Sequence, residues 1–478
     1  MSKVIAALFL ITLLVSAQNN LHREQPDSGS MLTVIVTLKD QVSQDALAGL
    51  VSELPAGSRQ EIVVQALRSK AEQSQDDIKA WLASSYVSGL VSQVTSFWIF
   101  NGLAVTATPD VVTELEQRAD VASVIPDIII QAPNLPPGLD SANNPPEENI
   151  ALINAPALWN MGLRGQNVVV ANMDTGVDIQ HPDLSAQWRG GANSWFDPYG
   201  EHPTTPTDLN GHGTWTMGVM VGKDNGGTAI GVAPAAKWIA VKIFNDHDQA
   251  TTVGIHLGYQ WLLDPDGNPT TADAPQVVNN SWDYGAPGCN LTFQTDLNVL
   301  RAAGILPVFA AGNYGPAGGS DVSPANNPGA FAAGAVNNQD QILSFSSRGP
   351  TTCGGYAEVY PLLVAPGVDI RTTDLFQFYA TKSGTSLAAP HIAGGLAILL
   401  SAFPELPLSF QEQALLQGAV DLGDWGPDNT YGYGRLDLLA SYQWLMENYY
   451  PLLQKVYLPL IEKSLLLQFY LPIMCKDG

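Results

Sequence analysis

The sequence predicts an α/β domain with a mostly parallel sheet over residues 149–445, preceded by a small α+β unit at residues 32–131. Three observations carry this prediction. Short apolar runs alternate with helix-length stretches through 149–445. The runs give way to glycine-rich turns. Polar residues such as Asp174 and Asn313 stand just past the ends of runs, where open α/β sheets hold their ligands. A chain of 478 residues is expected to form two or three domains.

The elements follow in order. Lys3, the apolar run Val4 to Val15 and the small pair Ser16-Ala17 read as an export signal over 1–17, too short for a comfortable membrane span. This predicts a secreted protein with no stable membrane insertion; an uncleaved anchor is the alternative. In the α+β unit, Leu32–Leu38 and Leu103–Ala107 read as strands and 58–86 as a helix free of interior Gly or Pro. Thr108 is placed to cap a helix with Pro109 at its first position, and a β-rich run from Ala122 to Gln131 closes the unit. Residues 132–148 are polar and proline-rich, the composition of an exposed and easily cut linker. In the large domain, strands are expected at Val168–Ala171, Val277–Ser281 and Ile305–Ala311, with helices over 252–263, 292–303 and 386–401. Residues 446–478 hold three Tyr/Pro/Leu-rich copies; they form either an apolar flap or a sorting or surface-association signal.

Composition narrows the function classes. Hydrophobic residues make up 45% and charged residues 14%, which supports a large core and excludes wholesale disorder. The net charge of −24 argues against nucleic acid or an anionic membrane surface as partner. Of three cysteines, Cys289 and Cys353 fall in the central region and Cys475 near the end, so a bridge, if formed, is expected between Cys289 and Cys353. Its loop of roughly 65 residues would contribute about 4 kcal/mol.

Four segments carry chemistry. Asp174-Thr175-Gly176 follows an apolar run, where a shielded carboxylate can hold a histidine in one tautomer. His212 lies between Gly211 and Gly213, which permit close backbone approach. Ser386, within Ser383-Gly384-Thr385-Ser386-Leu387-Ala388-Ala389-Pro390-His391, is placed at a helix N-terminus where amide dipoles favour developing negative charge; Pro390 then requires a place in the first turn. Ala388 breaks the Gly-x-Ser-x-Gly elbow and argues against an α/β-hydrolase. Asn313 offers a side-chain amide that either donates to an oxyanion or serves as a turn residue.

Together with His181-Pro182-Asp183-Leu184, Gly231-Val232-Ala233-Pro234 and Phe345-Ser346-Ser347-Arg348-Gly349-Pro350, and in the order Asp…His…Ser, these segments resemble the subtilisin family over roughly 150–440. Asn279-Asn280-Ser281-Trp282 and Ser323-Pro324-Ala325-Asn326-Asn327-Pro328 look most like its bacillopeptidase F-like branch. The resemblance implies a three-layer α/β/α domain and a serine endopeptidase acting on protein or peptide substrates. It implies Ser386 as nucleophile, His212 as general base and then acid, Asp174 as its partner and Asn313 as oxyanion donor. It implies that 32–131 is a propeptide, acting as intramolecular chaperone and inhibitor, and that the linker 132–148 is the place of self-cleavage. No catalytic cofactor is implied.

Two departures from the family's pattern bear on packing and specificity. Trp215 stands where a histidine is usual. The substrate-binding text reads Ser281-Trp282-Asp283; Asp283 either attracts a basic substrate side chain or, the favoured reading, points to solvent. A structural calcium ion is expected by resemblance at Asp183 and the loop containing Asn225. Two other classes remain: an inactive binding or scaffold protein on the same fold, and the related carboxyl-serine peptidases, against which His212 in its full motif argues.

Overall fold

A computed structural model describes residues 30–136 and 146–452. The export-signal segment 1–17, residues 137–145 of the linker, Cys475 and the tail beyond 452 lie outside the described residues.

The leading unit is a four-stranded antiparallel sheet. Its strands are β1 (Leu32–Leu38), β2 (Val91–Phe97), β3 (Gly102–Ala107) and β4 (Val121–Pro126), in the order β2-β3-β1-β4. The single helix expected over 58–86 is two, Ala56–Ser74 and Asp76–Val87. Gln75 stands at the junction, fully buried, and its amide donates to the carbonyls of Phe97 and Gly102 and to Asn101 Oδ1. Thr108 precedes the helix Pro109–Gln117, as read, but its hydroxyl makes no capping hydrogen bond. The expected final β run divides. β4 stays in the sheet, whereas β5 (Ile129–Gln131) leaves it for the large domain.

The large domain is built on seven parallel strands. They are β6 (Val169–Asp174), β7 (Trp195–Phe196), β8 (Lys237–Lys242), β10 (Val277–Asn280), β11 (Leu306–Ala310), β12 (Phe331–Val336) and β13 (Leu363–Pro366), in the order β13-β12-β11-β10-β6-β8-β7. β9 (Gln249–Thr251) lies outside this sheet and pairs antiparallel with β5; β14 (Ile370–Thr373) and β15 (Tyr379–Lys382) form a separate hairpin.

Successive side chains of the parallel strands enter two different cores, as strand alternation requires. Val170, Val277 and Val308 join Met217, Ile392 and Leu396 from the helices His212–Val221 and Thr385–Ala402. Ala171, Val278 and Phe309 join Tyr259 and Leu297 from the helices Thr252–Leu263 and Gln294–Ala302. The result is three layers, α/β/α. The helix Thr385–Ala402 is long and apolar enough to cross a membrane, but it is the buried centre of the first core. The second core continues into the leading unit through Ile35, Leu47, Phe97 and Phe100, so the two units share apolar packing. Cys289 and Cys353 are joined in a disulfide.

Candidate active site

Asp174 is the last residue of β6, and its neighbour strand β10 ends one residue before Ser281. The end of β6 meets the helix His212–Val221, which brings the carboxylate to the imidazole, and the segment after β10 meets the helix Thr385–Ala402. His212 Nδ1 lies 2.7 Å from Asp174 Oδ1, and both side chains are buried. A carboxylate only accepts, so Nδ1 carries the proton and Nε2 presents its lone pair. Asp174 Oδ1 also accepts from the Thr175 N–H at 2.7 Å. Gly213 has no freedom to be anything else: a Cβ there would sit 2.1 Å from the Gly176 carbonyl oxygen.

Asp208 organises the turn that delivers His212, and sequence reasoning missed it. Its buried carboxylate accepts from the N–H groups of Asn210, Gly211 and Thr214 and from the hydroxyls of Thr175 and Thr214. The available signal was an acid four residues before a histidine, inside an Asn-Gly turn.

Ser386 is the second residue of the helix Thr385–Ala402. Pro390 is the sixth, in the second turn and not the first as expected. A proline there lacks the N–H that would bond the carbonyl four residues back, that of Ser386. The Ser281 hydroxyl donates to this carbonyl at 2.9 Å, and the proline is accommodated. Ser386 Oγ in turn donates to the Ser281 carbonyl at 3.3 Å. His212 Nε2 is buried with no hydrogen-bond partner among the described residues, so Ser386 and His212 are not bonded to each other. Such bonds are often loose in sites without substrate.

Asn313 follows β11. Its Oδ1 accepts from the Thr385 N–H at 3.0 Å and the Thr385 hydroxyl at 3.1 Å, which fixes the amide with Nδ2 on the opposite side. Nδ2 lies 3.6 Å from the position a Cβ would take on Gly384.

The chain leaving the leading unit crosses this region. Beyond the β5–β9 pairing, Ala132 N–H donates to the Asp248 carbonyl at 2.8 Å. Leu135 is buried in a cluster with Trp215, Val219, Ile370 and Leu387. A Cβ on Gly384 would meet Leu135 at 2.8 Å. Trp215 lies edge-on to His212, donates to Asp374 Oδ1 at 2.7 Å and carries Lys382 Nζ over its ring at 3.9 Å.

Residues 165–434 match the subtilase family and residues 33–133 the peptidase inhibitor I9 family. The chain belongs to the subtilase family. Among its relatives, Bacillopeptidase F of Bacillus subtilis (strain 168) is 36% identical over 403 residues, 78% of this chain and 28% of that protein. Subtilisin amylosacchariticus of Bacillus subtilis subsp. amylosacchariticus is 32% identical over 351 residues, 73% of this chain and 82% of that protein. This chain therefore spans little more than a quarter of Bacillopeptidase F. As a subtilase it belongs to the serine-type endopeptidases, with an I9 propeptide domain in front.

The geometry corrects one expectation about this subtilase, the solvent exposure of Asp283, and shows the surroundings of two others. Trp282, expected among the substrate-binding residues, has a ring that is 1% exposed and packs edge-on against Phe293 and Phe309. Asp283 was expected to point to solvent. It is half-buried, and its Oδ1 accepts from the Gly285 N–H at 2.6 Å and the Tyr314 hydroxyl at 3.0 Å. Burial raises its carboxyl above the ordinary range. Calcium was expected at Asp183 and Asn225. There Asp183 Oδ1 accepts from the backbone and side-chain N–H groups of Asn225, at 2.8 and 2.7 Å, and Oδ2 from the Tyr379 hydroxyl at 2.7 Å. Arg371 stacks on Tyr379 at 4.6 Å. The Asp183 carboxylate and the Asn225 amide oxygen are the kind of donors calcium takes, and here the Asn225 N–H groups and the Tyr379 hydroxyl engage that carboxylate.

Proposed function

We propose that this subtilase is exported, folds as a zymogen and hydrolyses peptide bonds through Asp174, His212 and Ser386. The observation that carries the reading is the buried 2.7 Å contact between Asp174 and His212, which leaves Nε2 unengaged. In the proposed reaction, Ser386 Oγ attacks the substrate carbonyl while its proton passes to His212 Nε2. Asp174 stabilises the resulting imidazolium. Asn313 Nδ2 and the Ser386 N–H donate to the tetrahedral oxyanion. His212 then returns the proton to the departing amine, leaving an acyl-enzyme on Ser386. Water, deprotonated by His212, releases the acid. No cofactor takes part.

Residues 32–131 act as the intramolecular inhibitor. The contacts of β5 with β9, and of Leu135 with Trp215 and Gly384, support this reading, because they lay the propeptide's exit segment along the cleft. Self-cleavage falls within the linker 132–148. A fluorophosphonate probe should label the wild-type protein and not Ser386→Ala, and the Ser386→Ala chain should stay whole on a gel. Asn313→Ala should lower kcat by about 10²–10³. Failure to label either protein would leave the fold as a binding scaffold.

A further inference from the structure

Three carboxylates meet away from the cleft, where the large domain faces the propeptide. Asp264, Asp266 and Asp273 each bring one oxygen to within 4.8 Å of the others. Asp264 follows the helix Thr252–Leu263, whose C-terminal end carries partial negative charge. Asp264 and Asp273 are 5% and 6% exposed. Asp264 Oδ1 and Asp273 Oδ1 are buried with no hydrogen-bond partner among the described residues. Burial raises both carboxyls above the ordinary range, and the neighbouring carboxylates add to this.

The cation that reaches into this cluster comes from the propeptide. Arg68, on the helix Ala56–Ser74, places its guanidinium 2.5 Å from Asp264 Oδ2 and donates to the Gly267 carbonyl at 3.0 Å. Trp98, also of the propeptide, lies under it at 4.9 Å. Arg189 of the large domain is nearby, but its N–H groups go to the Ser194 hydroxyl and to the carbonyls of Asp273 and Asn193. Buried oxygens of like charge are costly without a compensating cation. The Arg68 cation belongs to the segment that maturation would remove. Clustered carboxylate and carbonyl oxygens are the donor set that calcium takes.

We propose that the Asp264–Asp273 loop is a calcium site of the mature enzyme, and that Arg68 holds the cation position in the zymogen. Calcium and the propeptide then compete for the same carboxylates. This rests on the zymogen reading above. By linkage, whatever calcium loses to Arg68, the propeptide loses to calcium.

The test is a calorimetric titration of CaCl2 into the full chain carrying Ser386→Ala, with and without Arg68→Ala. Removing Arg68 should tighten calcium binding by at least about tenfold, and adding Asp264→Asn should remove that gain. Arg68→Gln, which keeps the length of the side chain, and Asp266→Asn, at an exposed position, serve as second variants should the first fail to fold. No gain on removing Arg68, or a gain that survives loss of the carboxylate, overturns the proposal. A gel reads the other question separately. If the Ser386→Ala chain is still cut, the triad reading fails, while Arg68 competes with the same sign from a bound, cleaved propeptide.

Discussion

Pro390 and Ser281 show how one residue creates a need that another meets. The proline leaves the Ser386 carbonyl without its helical donor, and the Ser281 hydroxyl supplies one from just past the end of the central strand β10. The next residue, His391, is fully buried. Its Nδ1 donates to the Leu387 carbonyl at 2.7 Å, so Nε2 accepts from Asn149 Nδ2 at 2.8 Å. Burial holds this imidazole down to about 4. A base whose folded value lies below its unfolded value, about 6.5, binds protons preferentially when unfolded. Stability present above about pH 6.5 is therefore lost as pH falls toward about 4, by on the order of 3 kcal/mol at the end of that window. Urea denaturation of the Ser386→Ala chain should show this decline, and His391→Gln should flatten it; equal declines in both would refute the assignment. At this scale the sequence was most readable where chemistry is local in the chain, as in the text around Asp174, His212 and Ser386. Asp208 was not readable, because its meaning lies in contacts with Thr175 and Thr214 that only the fold assembles. The setting of Trp282 was not readable either, because the packing of its ring on Phe293 and Phe309 is equally non-local.

Among the elements, the join between propeptide and helix Thr252–Leu263 is the most exacting. Asp127 Oδ1 accepts from the Thr252 hydroxyl at 2.7 Å and the Val253 N–H at 3.0 Å, so a propeptide carboxylate meets the positive end of a helix in the large domain. Gln260, on the same helix, accepts from the N–H groups of Trp98 and Ile99. The charge-assisted bonds to Asp127 contribute about 1.5–3 kcal/mol each. In the Ser386→Ala chain, Asp127→Ala should speed hydrogen exchange of the β5 and β9 amides by about tenfold or more; unchanged protection would show that the cap adds nothing to docking. The helix Thr252–Leu263 and strand β1 were legible because apolar spacing is local information. The departure of β5 was not, since its partner β9 lies far along the chain and strand pairing leaves no mark on either segment alone. The break at Gln75 was hidden for a similar reason: glutamine suits helices, and only its burial against Phe97 and Asn101 turns it into a junction.

For the whole molecule, the disulfide closes a long loop across the large domain. Cys289 and Cys353 are separated by 64 residues. Replacing both with serine should lower stability by about 4 kcal/mol, seen as a lower thermal midpoint in the Ser386→Ala chain; an unchanged midpoint would mean that the unfolded chain gains no freedom from the cut. The shared core has a consequence of another kind. While one peptide chain joins the two units, the exit segment is presented to the cleft at an effective concentration set by tether length alone, and dilution cannot dislodge it. Once that connection is severed, the β5–β9 ladder and the seat of Leu135 become an ordinary bimolecular complex, whose occupancy falls as the solution thins.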